Sequence, residues 1–115
     1  MEEMTFLQFS SPLAIAQARE GCGVEIYISE IVPRMKLILS TISLMRLGAS
    51  EVVLVIPKGV AKQICMDYED LAQVQDYFNY FYKSCEGVDF DVLGDEEEGK
   101  EDIFYVWSFE KKEEA

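Results

Sequence analysis

The chain has 115 residues, half of them apolar, and a net charge of −12 at pH 7. That is enough for one buried core without metal or disulfide staples, too apolar for a wholly disordered chain, and too acidic for a broad duplex-binding face. Histidine is absent, which excludes Ser-His and Cys-His nucleophilic pairs and every His-containing metal site.

Residues 5–9 are a short apolar run expected to form a first strand. Ser10 and Ser11 follow it. Ser11 is a good N-cap and Pro12 suits the first helical position, so a helix is expected over 12–20, broken by Gly21, Cys22 and Gly23. A second strand is expected over 24–28, with Ser29 and Glu30 at its end. Pro33 opens the next helix, which continues to Leu47 and stops at Gly48. That helix has two apolar sides: Met35, Ile38, Leu39, Ile42 and Met45 on one, and Leu37, Leu44 and Leu47 with Thr41 near them on the other. Either both sides are covered inside the monomer, or the side of Leu37, Thr41 and Leu44 meets a second copy.

Residues 52–56 are five consecutive apolar residues, four of them β-branched. Such a run suits a central strand covered on both faces, and Pro57, Lys58 and Gly59 end it. A short helical segment is expected over 60–66 and a longer helix over 68–84, with Asp67 as cap and Asp70 as its capping-box partner. Leu71, Val74, Phe78 and Phe81 share one face of the longer helix. Tyr77, Tyr80 and Tyr82 cannot all join them, which leaves a tyrosine for the surface, for an interface or for base stacking.

Val88, Phe90 and Val92 alternate with Asp89 and Asp91, the period of a strand with one wet face. Residues 94–99 read as a solvated acidic loop, and 103–109 as a last, aromatic strand that closes a hairpin. The acids Asp89, Asp91, Asp95, Glu96, Glu97, Glu98 and Asp102 do not match the spacing of a calcium loop; they suit a guard against edge-to-edge aggregation better than a Mg²⁺ or Ca²⁺ site. No metal and no cofactor is expected. Together the elements predict one domain over 1–109 and a charged tail over 110–115. The fold class expected is a three-layer α/β/α domain, with a mostly parallel sheet of about five strands and an antiparallel C-terminal edge hairpin.

Charge is unevenly placed. Over residues 1–66 six acids (Glu2, Glu3, Glu20, Glu25, Glu30, Glu51) cancel six bases (Arg19, Arg34, Lys36, Arg46, Lys58, Lys62), so the net charge lies in residues 67–115. No apolar run approaches the roughly 18 residues that cross a bilayer, and no basic-then-apolar leader opens the sequence. Cys22, Cys65 and Cys85 have no CxxC spacing and read as reduced thiols. Cys65 is expected to be buried between Ile64 and Met66, and the glycine-flanked Cys22 to be the more exposed. A cytoplasmic location without membrane contact follows.

In an open parallel sheet, ligands bind beyond the carboxyl ends of the strands. Ser10, Ser11, Ser29, Lys58 and Gly59 would stand there, offering hydroxyls, an ammonium and helix starts to an anionic small molecule or nucleotide phosphate. No GxGxxG or GxxxxGK[ST] run supports them, and caps and turn residues are the plainer interpretation. The candidate self-association surface is Leu37, Thr41 and Leu44 with Tyr105 and Trp107 of the last strand.

Ala18-Arg19-Glu20-Gly21 ahead of the second strand and Leu47-Gly48-Ala49 ahead of the third resemble the pattern of DsrE-like sulfur-relay proteins, over residues 14–60. The resemblance implies a small oligomeric α/β domain and a relay cysteine near the end of a central strand, where this chain has Ile56 and Pro57. From the residues themselves the first expectation is a non-enzymatic interaction or regulatory module that self-associates, most simply as a dimer. A second is binding of an anionic small molecule or nucleotide, with slow turnover at most. A third is an acidic decoy that occupies a basic nucleic-acid-binding protein.

Overall fold

Burial alternates along the first described strand of the computed structural model, which describes residues 12–28, 30–86, 90–98 and 103–111. In β1 (Gly23–Tyr27) only Val24 and Ile26 are buried, so the strand has one covered and one open face. Around it run α1 (Pro12–Arg19), α2 (Arg34–Leu47), β2 (Glu51–Pro57), α3 (Lys58–Gln63), a 3-10 turn (Tyr68–Asp70), α4 (Leu71–Glu86), β3 (Phe90–Glu98) and β4 (Ile103–Lys111). The four strands make one sheet in the order β1-β2-β4-β3. No described helix is long and apolar enough to cross a membrane.

The expected mostly parallel sheet of about five strands is not what forms. β1 and β2 are parallel, whereas β4 is antiparallel to both β2 and β3. The expected strand at 5–9 lies outside the described residues, as does the cap at Ser11. β4 takes the interior position because its alternate residues Tyr105, Trp107 and Phe109 are bulky, apolar and buried. β3, whose sequence is acidic, is left at the edge of the sheet. Residues 94–98, expected as loop, belong to β3, and Glu110 and Lys111 of the expected tail belong to β4.

The expected three layers are also reduced to two among the described residues. Val24, Ile26, Val52, Leu54, Ile56, Tyr105, Trp107 and Phe109 form one buried sheet face, continuous with Ala14 and Ala18 of α1, Ile38 and Ile42 of α2, Ala61 of α3 and Phe78 of α4. No described helix packs on the opposite face: Glu25 and Tyr27 are exposed, Val53, Phe104, Val106, Ser108 and Glu110 are half-buried, and Val55 at its centre is buried.

Helix α2 is enclosed on both of its apolar sides except at Leu39 and Leu47, which are exposed. Leu37, Ile38, Ser40, Thr41, Ile42, Leu44 and Met45 are all buried, an arc of about 200° at about 100° per residue. Lys36, Leu39, Ser43, Arg46 and Leu47 form the exposed remainder. The helix ends as expected at Gly48, whose φ of 132° suits glycine. Its N–H donates to Met45 O (3.1 Å), and Ala49 N–H donates to Leu44 O (3.2 Å). A Cβ on Gly48 would stand 2.7 Å from Ala18 O, so the residue also lets the end of α2 come close to the α1 backbone.

The start of α4 follows the capping box: Asp67 Oδ1 accepts from Glu69 N–H (2.9 Å) and Asp70 Oδ2 accepts from Asp67 N–H (3.2 Å). Its aromatic run divides by helical phase. Phe78 is in the core, Tyr77 and Phe81 pack against it, and Tyr80 is exposed.

Two substitutions test this packing. Gly48→Ala is expected to lower unfolding free energy by about 2 kcal/mol or more, because a strained φ and a clash with Ala18 O combine. Thr41 Oγ1 is buried without a hydrogen-bond partner among the described residues, so Thr41→Val should raise stability by about 1 kcal/mol. Urea unfolding of both variants checks these signs.

Candidate functional site

The side chains expected at a subunit interface belong to the core. Leu37, Thr41, Leu44, Tyr105 and Trp107 are at most 7% exposed and offer no surface to a second copy. Helical phase identifies two apolar sides of α2, but it does not reveal that α1, the sheet and α4 occupy them. Trp107 is tied down further, its Nε1–H donating to Met66 O at 2.8 Å.

The strand-end site is placed only in part. β1 and β2 are parallel neighbours, with Tyr27 opposite Val55 and Ile28 N–H donating to Val55 O at 2.9 Å, so their carboxyl ends do adjoin. Lys58 is half-buried at the start of α3 and Gly59 is exposed. Ser10, Ser11 and Ser29 lie outside the described residues. What is placed there is the Lys58 ammonium at the start of a helix of six residues.

Cys22 and Cys65 are both free and exposed; Cys65, expected to be buried, is not. It has φ 60°, the left-handed position just beyond α3, while Ile64 and Met66 on either side turn into the core. Its carbonyl accepts from Arg34 Nη1 (3.1 Å), which also donates to Gln73 Oε1 (3.1 Å). The Arg34 guanidinium lies 5.0 Å from the Tyr77 ring centroid. These contacts hold α2, α3 and α4 together. No group of three or more Cys, Asp or Glu able to hold a metal ion occurs among the described residues.

The surface that local reasoning missed is the open face of the sheet. Register sets Glu51 opposite Glu110, Val53 opposite Ser108, Val55 opposite Val106 and Pro57 opposite Phe104, with Glu25 and Tyr27 flanking on β1. An apolar centre of Val53, Val55, Phe104 and Val106 therefore adjoins an acidic end. Burial, a hydrogen bond with Glu110 and the charge of Glu110 together push the Glu51 carboxyl above its ordinary value. The wet alternation of β1 is a usable signal for this face, but β4 is apolar on both sides and conceals it. Asp70 is likewise pushed up, first by burial and then by the Asp67 carboxylate, against the lowering effects of the Asp67 N–H and Arg34.

No family model matches the chain, and neither does any curated protein or solved structure. The resemblance to DsrE-like proteins rests on its two short runs alone, around a β1-α2-β2 crossover.

Glu51 and Asp70 bind a proton more tightly folded than unfolded. Their contribution to stability is complete below the ordinary values of 4.5 and 3.8 and is lost as pH rises through the raised folded values. Glu110→Gln is accordingly expected to raise the melting temperature at pH 7, with the advantage over the wild type shrinking as pH approaches 4.5. An equal gain at both pH values would show that the Glu110 charge is not what perturbs Glu51.

Proposed function

We propose that the protein is a small acidic, non-enzymatic interaction module that works through the outer face of its sheet. The supporting observation is that the described helices pack on one side of the sheet: on the other, Val53, Phe104 and Val106 stay half-buried in the two middle strands, with Val55 buried between them. An apolar patch rimmed by polar residues is the common form of a protein-binding surface. The self-association expected from Leu37, Thr41 and Leu44 has no surface there, and a partner-facing role moves to the sheet. The free thiols of Cys22 and Cys65 favour a reducing, cytoplasmic setting for the module.

Comparing isosteric substitutions on the two sheet faces tests this function. On the covered face, Val52→Thr buries a hydroxyl and should cost about 1–3 kcal/mol. On the outer face, Val53→Thr and Val106→Thr should change stability by less than about 0.5 kcal/mol, as surface substitutions do. Similar losses on both faces would make the outer patch part of the monomer's core and remove the proposed function.

A further inference from the structure

We propose that the outer face of the sheet receives a basic amphipathic helix from a partner protein, which supplies the helical layer that the described chain lacks on that side. The proposal rests on the interaction function above and names the occupant of the same face.

Shape favours a helix. Val53, Val55 and Pro57 of β2 lie opposite Ser108, Val106 and Phe104 of β4, so Val53, Val106, Phe104 and the more deeply set Val55 are contiguous on this face. With strands about 4.8 Å apart and alternate residues about 6.8 Å apart, they make an apolar strip about as wide as a helix of roughly 10 Å diameter can cover. The backbone groups of these two middle strands are already paired in the ladder. An extended segment would gain no main-chain hydrogen bonds on this face, whereas a helix brings its own bonds complete.

Charge decides what kind of helix. Glu25, Glu51 and Glu110 stand around the strip on β1, β2 and β4, and register sets Asp91, Asp95 and Glu97 of β3 opposite Glu110, Val106 and Phe104. No lysine or arginine occurs in these register rows. Two copies meeting face to face would set acid against acid, and each carries a net charge of −12, so the face repels itself at neutral pH. A helix with an apolar stripe flanked by lysine or arginine matches both the strip and its margin.

The test is calorimetric titration of the full chain with a synthetic Leu/Lys amphipathic helix of about five turns, alongside the same peptide with every lysine replaced by glutamate. The Lys peptide should bind, more weakly as salt rises, and the Glu peptide should not. Glu25→Lys, at an exposed position of the face, should weaken binding at least about tenfold, and Val106→Asn should do the same by wetting the strip. Asp76→Lys makes the same charge reversal on exposed α4 and should change affinity less than about twofold.

Equal weakening by Glu25→Lys and Asp76→Lys would reduce the binding to diffuse attraction and overturn the proposal, as would no binding of the Lys peptide. A dimer at pH 7 that Val106→Asn dissolves would give the face to a second copy instead. The two proposals fail separately: a large stability loss from Val53→Thr or Val106→Thr removes the interaction surface itself, whereas a free face that rejects the peptide removes only this occupant.

Discussion

The hydrogen bond from Trp107 Nε1–H to Met66 O, 2.8 Å long and buried, joins the two halves of the molecule. Met66 follows the left-handed turn at Cys65 that ends α3, and its own N–H returns to Ala61 O. The indole thus fixes where the chain leaves one helix and starts towards the next. Phe109 stacks on Trp107 at 6.4 Å and on Phe78 of α4 at 4.8 Å between ring centroids. One aromatic row on β4 therefore positions both α3 and α4 over the sheet. A buried indole N–H without that carbonyl would leave two polar groups unpaired, which gives β4 a strong preference for the slot beside β2.

Elements governed by their neighbours in sequence were the legible ones. Gly48 was readable as a helix stop because a left-handed C-terminal residue is a local requirement, and Asp67 with Asp70 because a cap and its partner are three residues apart. The apolar run over 52–56 identified β2 for a similar reason. Strand order was not legible in this way. Both a parallel five-stranded sheet and the observed mixed one bury that run, and choosing between them depends on contacts between β4 and helices far away in sequence.

The candidate sites divide along the same line. Adjacent carboxyl ends of β1 and β2 follow from a β-α-β crossover and could be inferred from element order alone. That the apolar sides of α2 are internal could not, because helical phase says which side chains share a face and is silent on what lies against it. The outer patch was hidden for a different reason. Val53, Phe104 and Val106 sit in runs that are apolar at nearly every position, so only the one-sided placement of the described helices distinguishes them from core.

That one-sided placement also separates charge in space. Arg19, Arg34, Lys36, Arg46, Lys58 and Lys62 belong to α1, α2 and α3, where Glu20, Glu30, Asp67, Glu69, Asp70 and Asp76 on or beside the helices offset them. The opposite side of the sheet holds Glu25, Glu51 and Glu110 without a compensating base in their register rows. Among the described residues, uncompensated negative charge therefore gathers on the sheet side. Such a separation would favour a sheet-first approach to a cationic surface over about a Debye length, roughly 8–10 Å at physiological salt, before side chains meet.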